Sequence, residues 1–165
     1  MRKVLFSVFI LVMGSKLVSA QTADPDTSAK IYNGIKINLS KGIKLITALL
    51  FFDDSTKIPE SNIVALNQNV NLLVQIDRGA WVEKNSFVSL GASEKISTDK
   101  GEVILNEPDL FSSETNISPL DAQYVSLAGV ITSTTKDINY FLVDFVIWDK
   151  WGSGKITGSY KIQIR

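Results

Sequence analysis

The last eleven residues of the chain, KITGSYKIQIR, alternate without interruption. Ile156, Tyr160, Ile162 and Ile164 fall in one row with Gly158, and Lys155, Thr157, Ser159, Lys161, Gln163 and Arg165 fall in the other. Successive side chains of an extended chain point to opposite faces, so this pattern predicts a strand with one face in a core and one in water. Residues 139–149, NYFLVDFVIWD, also alternate, but both rows are apolar. Phe141, Val143, Phe145 and Ile147 form one row, and Tyr140, Leu142, Val146 and Trp148 the other, broken only by Asp144. Such a strand is expected at the centre of a sheet, covered on both faces. The segment KWGSG between the two is short, and Gly152 and Gly154 are expected to supply the positive φ of a tight reversal. A β-hairpin therefore closes the chain.

The same period recurs upstream. Strands are expected at 30–38 (KIYNGIKIN), 43–52, 70–77, 86–97, 102–106 and 123–133, separated by connectors rich in Asp, Ser, Lys and Gly. With the final hairpin this makes about eight strands. A helix start is legible only at Ser118-Pro119-Leu120-Asp121, which has a capping Ser, a Pro at the first helical position and an acid at the third. No apolar 3.6-residue period follows, so a single turn, α or 3₁₀, is expected. The fold class is all-β: an antiparallel β-sandwich over residues 30–165, immunoglobulin-like in the broad sense, with a small closed β-barrel as the alternative.

Arg2 and Lys3, the apolar run Val4–Met13 and the small residues Val18-Ser19-Ala20 have the layout of a secretory signal peptide. The run is too short to span a bilayer, which takes about 20 apolar residues. Residues 1–20 are thus expected to be removed and 21–29, QTADPDTSA, to form a flexible leader. The protein is expected to be exported, to the periplasm or the medium, with no membrane span after cleavage. Without cysteine it cannot be a lipoprotein and must hold together by its core alone. Losing Arg2, Lys3 and Lys16 leaves 14 basic residues against 17 acidic ones, which argues against nucleic acid as a partner.

The absence of histidine and cysteine excludes Ser-His-Asp and Cys-His catalysis and the usual zinc, copper and iron sites. The segment DKWGSGKITGSY has the outline of a helix-loop-helix calcium loop, with Asp149 first and Gly154 sixth. Its third position is Trp151 and its twelfth Tyr160, where oxygen ligands and a bidentate Glu are required. GSGK also fails as a phosphate loop, because Asp149 stands where the first Gly belongs and a strand follows in place of a helix. No cofactor is implied. Asp53, Asp54, Asp77 and Asp149 would form a calcium site only if strand order gathers them at one end of the sandwich.

Three tryptophans lie near strand ends: Trp81 in DRGAWVEKN, Trp148 at the end of its strand and Trp151 at the hairpin tip. Each either plugs the core or offers a flat face on which a sugar ring stacks. The sequence is therefore read as an exported, non-enzymatic β-sandwich that serves as a binding or adhesion module. A protein or a glycan is its partner, held by Trp81, Trp151 and Asp149. Two alternatives stand beside this. One is a glycan hydrolase working through two carboxyls near Asp144 or Glu107. The other is a structural or assembly protein that pairs through an edge strand.

Overall fold

The computed structural model describes residues 29–114 and 116–165, and the expected signal peptide and residues 21–28 of the leader lie outside them. Ten strands form two facing sheets: β1 (Lys30–Ile31), β2 (Lys36–Leu39), β3 (Leu45–Phe51), β4 (Ile63–Val64), β5 (Asn69–Ile76), β6 (Leu90–Thr98), β7 (Val103–Glu107), β8 (Tyr124–Val130), β9 (Phe141–Asp149) and β10 (Lys155–Ile164). One sheet has the order β1-β3-β5-β8 and the other β2-β10-β9-β6-β7, with β4 also paired to β10. The sheets do not close on each other, so the fold is the β-sandwich and not the barrel.

The closing hairpin is as expected, with Lys155 opposite Trp148 through to Ile162 opposite Phe141. Its inner rows, Phe141, Val143, Phe145 and Ile147 with Ile156, Tyr160 and Ile162, are all buried. They meet Ala48 and Leu50 of β3, Val70, Leu72, Val74 and Ile76 of β5, and Val125 and Leu127 of β8 in one apolar core. Each such side chain contributes about 1.5–3 kcal/mol on leaving water, which is how a chain without disulfides is held. Gly158 is required within this row, since a Cβ there would lie 2.4 Å from the Phe145 ring and 2.5 Å from the Lys36 carbonyl oxygen.

Four expectations are corrected. Strand β9 is central, between β10 and β6, but it is covered on one face only. Its outer row, Leu142, Asp144, Val146 and Trp148, is half-buried, because no described strand lies over that face. Residues 30–38 are not one strand. Asn33 and Gly34 both have φ of 59°, and Ile35 N donates to Tyr32 O, so a tight turn sends β1 to one sheet and β2 to the other. Gly152 and Gly154 are absent from the positive-φ residues of the chain. They are needed for room: a Cβ on Gly152 would lie 2.5 Å from Asp149 Oδ2, and one on Gly154 3.1 Å from the Trp81 ring. Finally, the short pairs β1–β3 and β4–β10 are parallel within an otherwise antiparallel sandwich. The one helical turn among the described residues, Asp121–Gln123, is 3₁₀, and Ser118 Oγ accepts from Asp121 N at its start.

One lateral side of the sandwich is fastened by two buried asparagines. Asn33 Nδ2 donates to Ile58 O and to Asn62 Oδ1, Leu50 N donates to Asn33 Oδ1, and Asn62 Nδ2 donates to Asn33 O and Lys161 O. Both have positive φ, which Asn tolerates better than most residues. This network ties β3 of one sheet to β10 of the other. Among the described residues no helix is long and apolar enough to cross a membrane.

Candidate functional site

The residues singled out in the sequence gather at the tip of the β9–β10 hairpin. Asp149 is buried, and its carboxylate is shared between two backbone donors: Val82 N at 2.7 Å to Oδ2 and Trp151 N at 2.8 Å to Oδ1. It thereby ties the β5–β6 loop to the hairpin turn. Trp81 is also buried and its Nε1 donates to Ala122 O at 2.9 Å. Its indole plugs this end of the core. Trp151 is half-buried with the Lys84 ammonium 5.3 Å from its ring centroid, a cation–π contact. The three share one end of the molecule, but Trp151 is the only one of them with an accessible face.

Trp148 is half-buried as well. On the outer face of the six-stranded sheet it lies across Gly91 of β6, its cross-strand partner. A Cβ at Gly91 would fall 2.1 Å from Trp148 Cε2, so only glycine lets the indole lie flat on the sheet. The ring forms one wall of an open depression of about 500 Å³, with Ser93, Val146, Ser153 and Lys155 around it. Hydroxyl and ammonium donors thus surround a flat apolar face. The sequence holds the signal for this arrangement in the apolar outer row of β9, which ends in Trp148 opposite a glycine. Only strand pairing shows which glycine that is.

The acids scatter. Asp144 stands on the outer face of β9 and pairs with Lys95 at 3.0 Å, both partly exposed. Asp109 pairs with Lys150 at 2.9 Å. Asp53 accepts from Asn69 and Asn71, Asp54 from Thr56, and Asp77 from the Arg78 amide. Asp53, Asp54, Asp77 and Asp149 do not come together, and no group of three metal-ligating side chains occurs among the described residues.

One acid that the sequence did not flag is buried in the core. Glu94 of β6 is 1% exposed, on the inner face between Ala92 and Ile96. Neither carboxyl oxygen has a hydrogen-bond partner. Burial pushes its pKa up from 4.5 to about 7, and the nearby Tyr160 hydroxyl opposes this without closing a hydrogen bond. Glu107 is its cross-strand neighbour on β7. A carboxyl sealed from solvent cannot protonate a glycosidic oxygen, so this pair does not form the cleft a hydrolase requires. In the sequence, the alternation of β6 would place Glu94 inward in register with Ala92 and Ile96. The polar residues on its outer row hide that signal.

No family model matches the chain, and no curated protein matches it. Among solved structures it is similar to the C-terminal domain of wzt, at 14% identity and a TM-score of 0.48, over 84% of this chain and 82% of that one. It is also similar to the PmoD soluble domain from Methylocystis sp. ATCC 49242 (Rockwell), at 12% identity and a TM-score of 0.39, over 81% of this chain and 99% of that one. At these values the assignment of the sandwich rests on the strand order itself.

Proposed function

We propose that the protein is an exported, non-enzymatic binding module that holds a glycan on the outer face of its six-stranded sheet. The observation that carries this reading is Trp148, laid flat over Gly91 in an open depression among Ser93, Ser153 and Lys155. The C–H face of a sugar ring stacks on such an indole while its hydroxyls exchange hydrogen bonds with the side chains around it. Trp151, in the hairpin turn beside Lys84, is a second half-buried indole at this end of the molecule, and Asp149 and Trp81 hold the turn in place. Protein adhesion through the same face is the broader form of the reading.

A glycan array and affinity electrophoresis in soluble polysaccharides test it. Trp148→Ala should lose at least about tenfold in affinity for the retained glycan while the protein stays folded. Retention by no glycan, or equal retention of the variant, would discard the reading.

A second reading, assembly through a sheet edge, is favoured by β8. This seven-residue strand ends its sheet, and apart from the Tyr124 amide, which donates to Asp121 O, no backbone hydrogen bond beyond its pairing with β5 is seen among the described residues. An open edge of that length pairs with another strand unless something prevents it. Light scattering after size exclusion separates the two: a monomer across the micromolar range removes self-assembly.

A further inference from the structure

The outer face of the six-stranded sheet, on which the glycan reading places its ligand, carries an uneven charge. One row across it runs Lys36, Ser159, Asp144 and Lys95, through the pairings of β2 with β10, β10 with β9 and β9 with β6. Lys155 stands directly opposite Trp148, and Lys161 follows six residues further along β10. The strand residues of this face thus include four lysines and one acid, and that acid, Asp144, is engaged by Lys95 at 3.0 Å. Glu107 and Asp149 belong to the inner rows, the first in register with Glu94 and the second with its carboxylate taken by the amides of Val82 and Trp151. Lys36, Lys155 and Lys161 are exposed and form no ion pair among the described residues.

Charge is not spread over the molecule in this way. Strands β3, β5 and β8 of the opposite sheet contain no charged residue. Three ammoniums gathered without counter-charges hold a positive potential over their face, which draws anions to it. Two of them sit beside aromatic rings, one near each end of β9. Lys155 borders the depression walled by Trp148, and the Lys161 ammonium lies 3.9 Å from the ring centroid of Tyr140. Thr157 and Ser159 put hydroxyls between the two lysines. From Lys155 to Lys161 the face is about 20 Å long, six steps of a strand. A nucleic-acid strand carries a phosphate about every 3.4 Å, far denser than these ammoniums. Their spacing suits a polymer with a charge only on some of its rings.

We propose that the ligand of this face is an acidic polysaccharide, one ring stacked on Trp148 and the carboxylates of its sugars paired with Lys155, Lys36 and Lys161. The inference rests on the glycan reading and adds to it the charge class of the ligand. Exposed ion pairs are individually weak and screened by salt, so the three lysines act together. The indole supplies the contact that salt does not screen. Salt therefore lowers the affinity for an acidic glycan towards that for its neutral counterpart.

Calorimetric titration of the purified protein with polygalacturonate and its methyl ester, and with carboxymethyl-dextran and dextran, tests the proposal. Each pair differs in charge on a common backbone. At low salt the charged member of at least one pair should bind about tenfold or more tighter than the neutral one, and about 0.5 M salt should remove most of the difference. Lys36→Gln, Lys155→Gln and Lys161→Gln together should bring the two members level with the thermal midpoint little changed, because all three side chains are exposed. Trp148→Ala should weaken the charged member too. Equal binding within both pairs overturns the proposal and leaves the glycan reading standing, as does a preference that survives the triple variant. Binding of none of the four discards the proposal, and a neutral glycan captured on the array then keeps the glycan reading alone. Polyphosphate or single-stranded DNA bound as tightly as the charged glycan overturns the proposal as plain polyanion exchange. Charged-glycan binding indifferent to Trp148→Ala overturns the proposal and the stacking reading together.

Discussion

Replacing Glu94 by Gln should stabilise the protein, and by an amount that grows with pH. The unfolded chain ionises this carboxyl around 4.5, while the folded chain holds the proton to about 7. Below pH 4.5 the group is neutral in both states and has no effect. As pH rises from 4.5 to about 7, the unfolded state releases its proton and the folded state does not, so stability falls. Above about 7 the carboxylate is charged in both states and the loss is complete. At about 1.4 kcal/mol for each tenfold change in proton affinity, the loss is about 3 kcal/mol. Gln keeps the shape of the neutral acid and carries no charge, so it escapes this term. The other carboxylates act equally in both proteins and cancel in the difference. Urea unfolding followed by tryptophan fluorescence from pH 4 to 8.5 measures it. The variant should match the parent near pH 4 and exceed it by about 3 kcal/mol at pH 8, with an unchanged denaturant slope. A difference that stays flat with pH, or a variant less stable at pH 8, would refute the reasoning and mean that Glu94 has a partner when charged.

Asp149→Ala strands the amides of Val82 and Trp151 in a partly buried turn and should cost about 3 kcal/mol, read by the same unfolding assay. Trp81→Phe keeps the plug but leaves Ala122 O without its donor, so a smaller loss of about 1–2 kcal/mol is expected, whereas Trp151→Ala should change stability by less than about 1 kcal/mol. Gly158→Ala forces Phe145 and the Lys36 carbonyl apart and should destabilise by about 2 kcal/mol or more, visible as a lower thermal midpoint.

Much of the fold is legible because a strand buried on one face must alternate. The rows of β9 and β10 can be read directly, and their partners in β3, β5 and β8 follow the same rule. The splitting of 30–38 was also within reach. Asn33-Gly34 is a strong turn signal, masked here by apolar residues on both sides. Strand β4 was not legible, since two residues paired to a chain end have no period. Of the site, the nearness of Asp149 and Trp151 could be inferred from the hairpin, but that Trp81 joins them and the division of labour among the three could not. Burial of Trp81 depends on Ala122, 41 residues away, and Asp149 is occupied by an amide from the β5–β6 loop.

The sequence by itself determined that this chain would be all-β, with a hairpin at its end and no histidine or thiol chemistry, because side-chain period and residue inventory are local properties. Only the tertiary structure decided which side of β9 stays open, that Gly91 lies beneath Trp148, and that Glu94 is buried in the core near Gly129. Those are contacts between residues far apart in the chain. Period two says that a row faces inward or outward, but cross-strand register and the stacking of the two sheets decide what it faces.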